Sequence, residues 1–190
     1  MPRYSIEIST TSIALDTYIA SFRDAERFEA CCRACPQYGR SWACPPFDFD
    51  VLKRLSQYSS LFLVAAKIVP HDSNLTFEEF NTLIRPERIK LESRLLALER
   101  QFGGLAASYV GTWLHCPQGA CTRPNGAPCR HPEMVRPSLE AYGFDIGRTT
   151  SELFNIRLQW SKNNTMPPYV VFVSGLFHNS AQEVSWQASL

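Results

Sequence analysis

The sequence of 190 residues has no long apolar stretch of the kind that crosses a membrane. Its longest apolar run, residues 61–66, has the length of a strand, whereas a transmembrane helix needs about 20 such residues. The first ten residues, MPRYSIEIST, lack the apolar core of a secretory signal. We therefore expect a cytoplasmic protein that does not bind a membrane.

The sequence also lacks an excess of charge and the common motifs of nucleotide and hydrolytic chemistry. Nineteen basic residues against eighteen acidic ones leave a net charge of +1, which predicts no binding to nucleic acid. None of the G-x-G-x-x-G, P-loop, H-E-x-x-H and G-x-S-x-G motifs is present. With no internal repeat, the length predicts a single domain over residues 1–190.

The apolar pattern of the chain alternates between helical and extended segments. Strands are predicted at residues 4–8, 61–69, 105–114, 156–160 and 169–177, and helices at 13–22, 25–30, 51–58, 76–102, 137–143 and 149–154. Pro86 should kink or break the longest helix, and Gly103 and Gly104 should end it. We expect an α+β fold, a mixed α/β sandwich with a central sheet of four or five strands, helices packed on it and two cysteine-rich loops.

All seven cysteines fall in two short segments. A reducing cytoplasm and an odd number of cysteines disfavour a disulfide framework, and clustered thiols then indicate metal binding or catalysis. A single isolated cysteine is often an inert buried residue, but that explanation does not suit seven cysteines confined to two loops.

The first cysteine loop reads ACCRACPQYGRSWACPPFDFD and contains Cys32-x2-Cys35-x8-Cys44, or alternatively a Cys31-x3-Cys35 step. Two intervening residues allow both thiolates of Cys32 and Cys35 to turn onto one ion or cluster edge. The adjacent Cys31 and Cys32 should point to different sides, so we favour Cys32 and leave Cys31 as a spare thiol. Proline follows Cys35 and Cys44 and stiffens the turn, as in ferredoxin-type loops.

The second cysteine loop contains Cys116-x4-Cys121-x7-Cys129 and has glycines that allow the backbone to fold back on itself. The two loops together supply six candidate metal ligands, which are Cys32, Cys35, Cys44, Cys116, Cys121 and Cys129. Two arrangements remain open. Four of the six share one centre across the loops, or each loop holds its own centre with a non-cysteine or open fourth position.

The ligand types favour an iron–sulfur cluster, a 4Fe-4S cluster first, with zinc as the alternative. Structural zinc takes four Cys or Cys/His ligands, and His115 and His131 lie beside Cys116 and Cys129. However, the Cys-x8-Cys and Cys-x7-Cys spacings do not match the paired knuckles of common zinc ribbons. His115, His131 and Cys31 therefore stay open as further ligands.

The segment CRACPQYGRSWACPPFDFD, followed much later by CTRPNGAPCRHPEMVRPSLEAYGFDIG, resembles the predicted metal-binding proteins of domain-of-unknown-function family 2284. The resemblance covers nearly the whole chain and implies a small cysteine-rich metal-binding protein, of iron–sulfur type. It carries the ligand role onto Cys32, Cys35, Cys44, Cys121 and Cys129. Similar proteins have a Cys-x2-Cys-x2-Cys run that leads into the second loop. At the first two of these cysteine positions this chain has His115 and Gln118, and its Cys116 lies one position away from the first. Such a cluster is either lost here or bound through Cys116 or His115.

Three functions follow from these observations. The first is a redox or electron-transfer protein that exchanges electrons with a partner protein through an iron–sulfur cluster. The second is a non-catalytic module in which zinc or a structural cluster ties the loops together. An enzyme with an open metal position ranks last, because the Cys-x3-Cys-x2-Cys spacing of radical enzymes is absent and few residues could act as a positioned base.

Overall fold

A sheet of four antiparallel strands forms the centre of the protein in the computed structural model, which describes residues 3–72, 74–108, 114–117, 119–161 and 163–186. The strands are β1 Tyr4–Ala14, β2 Ser60–Pro70, β3 Leu105–Ala107 and β4 Val170–His178, in the order β1-β2-β4-β3. The helices of the described ranges are α1 Leu15–Phe22, α2 Ala25–Arg33, α3 Val51–Leu55, α4 Phe77–Leu83, α5 Arg85–Phe102 and α6 Ile146–Leu153. The predicted α+β class is confirmed.

Strand β2 runs through the middle of the core and is buried on both faces. It pairs with β1 on one side and with β4 on the other. Leu61 and Leu63 enter the larger core cluster, whereas Phe62 and Val64 enter a second cluster on the opposite face. Burial on both faces explains why this strand reads as a continuous apolar run.

Helices and loops cover both faces of the sheet. On the first face, Tyr18 and Phe22 of α1 pack with Tyr142 and Phe144 from the segment that follows the second cysteine loop. On the second face, Leu98 of α5 joins the cluster of Phe62 and Val64. Phe47 and Phe49, just after Cys44, also pack against the first-face cluster, so the end of the first cysteine loop lies on that face.

The predicted break in the long helical stretch is present, and it lies just before Pro86. Thr76 and Glu79 form a capping box that starts α4. Ile84 has non-helical backbone angles, and Pro86 falls in the first turn of α5, where a missing N–H is tolerated. Gly103 adopts a left-handed conformation, with φ 64°, and ends α5. Within the described ranges, no helix is long and apolar enough to cross a membrane.

Several predicted elements differ in length from the observed ones. Strand β1 extends beyond residues 4–8 to Ala14, because it pairs with β2 along its whole length. Helix α3 ends at Leu55 rather than residue 58, and the predicted helix over 137–143 is only a 3-10 helix, Glu140–Tyr142. Strand β3 is shorter than the predicted strand at residues 105–114, of which 109–113 lie outside the described residues.

The predicted strand at residues 156–160 is wrong, because this segment is irregular. Asn155 takes a left-handed conformation, with φ 54°, and the Ile156 N–H donates to the carbonyl of Thr150 at 2.9 Å. Ile156 and Leu158 nevertheless pack against the larger core cluster. Their contact with the core produces an alternating apolar pattern without any pairing to the sheet.

The burial of β2 predicts a large cost for shortening its side chains. Leu63 is fully buried, with 0% of its surface exposed, and Leu63→Ala should lower the free energy of unfolding by about 2–5 kcal/mol. Leu52 is 41% exposed, so the matched Leu52→Ala change should cost no more than about 0.5 kcal/mol. Urea denaturation of both variants tests this, and equal losses would contradict the assigned core.

Candidate functional site

Helix α2 delivers the first two cysteines to the site. Asp24 caps its start by accepting a hydrogen bond from the Arg27 N–H at 3.1 Å. The helix runs past the predicted end and places Cys31 and Cys32 in its last turn. Successive helical residues point about 100° apart. Accordingly Cys31 is exposed whereas Cys32 is half-buried.

Backbone hydrogen bonds fold the rest of the first loop back toward α2. The Cys35 N–H donates to the carbonyl of Cys32 at 3.0 Å, which makes a tight turn of the Cys-x2-Cys step. Gly39, in a left-handed conformation, donates its N–H to the carbonyl of Pro45 at 2.8 Å. This bond brings the chain just after Cys44 back to the middle of the loop.

Electrostatic interactions link four cysteines from the two loops. The pKa of Cys32 is raised to about 11, chiefly by burial, with smaller contributions from the charges of Cys44, Glu29 and Cys35. Burial also raises the pKa of Cys44, with Cys35 and Cys121 adding to the effect and Arg123 opposing it. Each of these four thiols therefore interacts electrostatically with at least one of the others. Cys121 is the one that comes from the second loop.

The second loop is closed by its own hydrogen bonds. A 3-10 helix, Arg123–Asn125, ends at Gly126 in a left-handed conformation, with φ 66°. The Thr122 hydroxyl donates to the carbonyl of Pro128 at 2.7 Å, and Arg130 donates to the carbonyl of Ala120 at 2.9 Å. These contacts hold the chain between Cys121 and Cys129 in a compact turn.

Arg123 joins the second loop to the first. Its guanidinium donates to three backbone carbonyls of the first loop, those of Ser41, Cys44 and Pro46. It also lies over the ring of Trp42, 5.4 Å from the ring centre, and the Trp42 indole N–H donates to the Thr122 hydroxyl at 3.2 Å. The fixed fork of donors on arginine suits this convergence of carbonyls, so Arg123 brings Cys121 toward the first-loop thiols.

The two histidines of the second loop lie together next to α5. His115 Nε2 lies 2.8 Å from Glu92 Oε2, and the ring centres of His115 and His131 are 6.1 Å apart. Cys116 follows His115 in the chain, and the Cys129 sulfur accepts a hydrogen bond from the His131 N–H at 3.4 Å. Both remaining candidate cysteines thus lie within two positions of one of these histidines in the chain.

An ion pair fastens the end of the second loop to α5. Arg136 donates from Nε to Glu99 Oε2 at 2.7 Å, and the same oxygen accepts the Ala106 N–H at 2.6 Å. Burial raises the pKa of Glu99, but these two hydrogen bonds outweigh it and hold the pKa below its usual value. The second loop is therefore anchored at both the helix and the start of β3.

The described residues do not form a closed metal site. Among them, no three His, Cys, Asp or Glu side chains converge closely enough to hold one ion. The six cysteine ligands predicted from the sequence therefore remain predictions. The donor set nevertheless suits a soft metal, because all four interacting groups are thiols and thiolate sulfur is a soft ligand. Metal binding commonly completes a site whose ligands are only partly arranged beforehand.

Two cavities border the cysteines. One of about 230 Å³ has Cys32, Arg23 and Glu140 in its wall, and one of about 520 Å³ has Cys129 and Arg136 in its wall. Glu140 Oε2 is buried and has no hydrogen-bond partner among the described residues. The wall of the smaller cavity therefore contains an unpaired carboxylate oxygen and a candidate ligand.

Three residues of this region escaped prediction from the sequence. Arg123 stands between two cysteines, and that position is its only signal. Glu92 and Glu99 lie on α5 close to its apolar residues. A charged residue at such a position is the sequence signal that could have indicated a paired carboxylate. Their partners are distant in the chain, which no local pattern indicates.

Removing the guanidinium of Arg123 should separate the two loops. We expect Arg123→Ala to lower the free energy of unfolding by about 1.5–3 kcal/mol, since it deletes charge-assisted hydrogen bonds to first-loop carbonyls. Arg130→Ala is the matched control, because Arg130 bonds only within its own loop among the contacts described above. Denaturant unfolding measures both changes, and a larger loss for Arg130→Ala would contradict the bridging role.

The buried carboxyl of Glu140 should make stability depend on pH. Burial raises its pKa from 4.5 to about 7. The folded state then keeps a proton that the unfolded state releases, so the contribution of this group to stability is fully present below about pH 4.5 and is lost as pH rises through about 7. Glu140→Gln should remove this slope and stabilise the protein at pH 8 by about 1–3 kcal/mol. Glu133→Gln, at an exposed position nearby, should leave the slope unchanged, and thermal unfolding from pH 4.5 to 8 compares them.

A comparison with known protein families identifies the family of this chain. A family model described as predicted metal-binding protein (domain of unknown function 2284) matches residues 18–176. That range contains both cysteine loops, Arg123 and the histidine pair. No curated protein and no solved structure matches the chain. The match covers most of the sequence, and the chain belongs to this family of predicted metal-binding proteins.

Proposed function

We propose that the protein carries one iron–sulfur cluster, held by Cys32, Cys35, Cys44 and Cys121, and serves in redox or electron transfer. The observation that carries the proposal is the electrostatic interaction among these four thiols, three from the first loop and one from the second. Of the two arrangements that the sequence leaves open, this one uses four cysteines in a single centre across the loops. Four cysteine thiolates are the usual ligand set of such clusters.

The chain's own residues suit the binding of a cluster by thiolates. Arg123 places a positive charge near Cys44 and lowers the pKa of this thiol against the effect of burial. Arg123 and the Thr122 hydroxyl also keep the second loop on the first, which would orient Cys121. A bound cluster supplies one-electron exchange, and the protein supplies the ligands, their orientation and part of the charge balance.

The exposure of the first loop supports exchange of electrons with a partner protein. Cys35 is exposed, and Cys32 and Cys44 are only half-buried, so a centre at these residues would lie near the surface. A partner could then approach it without opening the fold. Reduced, unpaired thiols of this kind fit the cytoplasm, where thiols are kept reduced.

Zinc is the second candidate, because four cysteines also form a tetrahedral structural zinc site. The protein would then be a non-catalytic module in which the ion ties the two loops together. The docking of Arg123 on the first loop supports a tie of this kind as much as it supports a cluster. The metal that is bound decides between the two functions.

Anaerobic purification tests the proposal. We expect brown wild-type protein that contains iron and sulfide and absorbs in the visible range. Cys44→Ser and Cys121→Ser should each lose most of the iron and the absorption, because each removes one of four ligands. Cys31→Ser is the matched control from the same helix turn as Cys32, and it should retain both.

Two results would contradict the assignment in different ways. Colourless wild-type protein with one zinc per chain would replace the redox function with the structural one. Unchanged metal content in both Cys44→Ser and Cys121→Ser would reject the ligand set, whichever metal is bound. A loss of iron in Cys129→Ser without a loss in Cys121→Ser would move the fourth ligand to Cys129.

A further inference from the structure

Strand β1 forms one edge of the sheet. It pairs with β2 along its whole length, and among the described residues no other strand or isolated bridge pairs with its outer side. An edge of this kind presents backbone N–H and C=O groups that have no partner in the sheet. Residues 7–10, at the middle of the strand, are exposed on both faces of the sheet. The described elements therefore leave this edge open to solvent.

Backbone hydrogen bonds at the two ends of β1 determine which residues face the open edge. The carbonyl of Arg3 accepts the His71 N–H at 2.9 Å, and the Leu15 N–H donates to the carbonyl of Ser59 at 2.9 Å. Antiparallel strands alternate between hydrogen-bonded and non-hydrogen-bonded pairs, and the register of β1 on β2 has no bulge. Odd-numbered residues of β1 therefore bond to β2. The even-numbered residues direct their N–H and C=O groups to the open edge, and these are Tyr4, Ile6, Ile8, Thr10, Ser12 and Ala14.

The open edge has none of the features that usually prevent strand pairing. Natural edge strands are commonly protected by lysine, by proline or by a bulge. Strand β1 reads YSIEISTTSIA and contains neither lysine nor proline. Its one charged residue, Glu7, has its Oε2 3.1 Å from Lys67 Nζ of β2, so the charge is balanced within the sheet. Ile8, a large apolar residue at the middle of the strand, is 39% exposed.

The sequence of β1 is compatible with antiparallel pairing to a copy of itself. A two-fold axis at Ser9 places even-numbered residues opposite even-numbered ones, as hydrogen bonding between two outer edges requires. Ile8 then faces Thr10 of the second copy, a pair of β-branched residues that pack well across strands. Glu7 faces Thr11 of the second copy, and the two copies of Glu7 lie about 14 Å apart, so like charges do not meet.

We propose that β1 is an interaction surface for a second copy of this chain, with the two β1 edges paired antiparallel about Ser9. The two four-stranded sheets then become one continuous sheet across the dimer. In strand addition of this kind, main-chain hydrogen bonds supply the affinity. The pairing goes beyond the proposed function and does not depend on it, because β1 lies outside both cysteine loops.

Proline at Thr10 tests the surface selectively, because the Thr10 N–H points away from β2. An edge strand tolerates proline where the missing N–H faces solvent, so Thr10→Pro should stay folded. In the dimer, two symmetry-related carbonyls would lose their donors, and we expect the dissociation constant of the dimer to rise about 100-fold. Thr10→Val keeps the N–H and is the matched control, which should dimerise as the wild type does. Sedimentation equilibrium of the full chain, under anaerobic reducing conditions, measures all three.

Amide hydrogen exchange reports the same contact residue by residue. In the wild-type dimer, the N–H groups of Ile6, Ile8 and Ser12 should exchange slowly, because each donates to the second copy. In Thr10→Pro they should exchange at least about 10-fold faster. The N–H groups of Ser9 and Thr11 donate to β2 and should stay protected in both proteins. Their protection shows that β1 is still folded on the sheet.

Cysteine substitution tests the register. Ser9 would face Ser9 of the second copy in a non-hydrogen-bonded pair, where Cα atoms are about 4.5 Å apart and a disulfide can form. Ser9→Cys oxidised with diamide should therefore give a covalent dimer above the background set by the wild type. Ser5→Cys is the matched control on the same face of β1. Its two copies would be about 27 Å apart, so it should give only the background.

Three results would overturn the proposal. The first is a wild-type protein that stays monomeric at high concentration, with rapid exchange of the Ile8 and Thr10 amides. The second is a dimer that Thr10→Pro does not weaken, because the contact would then lie elsewhere. The third is protection of the outward amides only after an extended peptide is added, which would assign the edge to a different partner.

Discussion

The arrangement of the two cysteine loops depends on one side chain, the guanidinium of Arg123. It satisfies backbone carbonyls on both sides of Cys44 and carries the neighbouring Cys121 into the same region. Carbonyl groups in an irregular loop have no ladder of secondary structure to bind them, so a side chain with several donors has to do so. The same group gives the thiols a nearby positive charge. A loop that has little regular structure thus obtains both its shape and part of its electrostatic balance from a single residue.

Much of the fold could be predicted because its signals are local. The apolar run of β2 and the capping box and proline at the two helices each depend on neighbours in sequence. The strand predicted at residues 156–160 is wrong for the opposite reason. Its alternating residues contact the core from an irregular backbone, and only the left-handed turn at Asn155 distinguishes it from a strand. An alternation of apolar and polar residues indicates that one side of a segment is buried. It indicates a strand only where the segment can also pair with an edge of the sheet.

In the candidate site, too, some features follow from local sequence and others depend on residues far apart in the chain. The Cys-x2-Cys step is a local signal, because Cys32 lies in the last turn of α2 and Cys35 in the tight turn that follows it. The choice among the second-loop cysteines could not be made from spacing. It depends on contacts between residues far apart in the chain, such as Arg123 with the first loop and Glu92 with His115. Such contacts come from packing on the sheet, and an alternation of residue types does not encode them.

The distance along the chain between the two loops has a consequence for folding. Arg123 and the Cys44 carbonyl that it binds are 79 positions apart, and β2, α4, α5 and β3 all lie between them. A metal held by ligands from both loops would act as a cross-link that closes this long segment. A covalent link around a segment of such length restricts the unfolded chain by about 4–5 kcal/mol of conformational entropy. Occupancy of the centre and the stability of the fold would then be linked, and loss of the metal would remove this restraint from the unfolded chain.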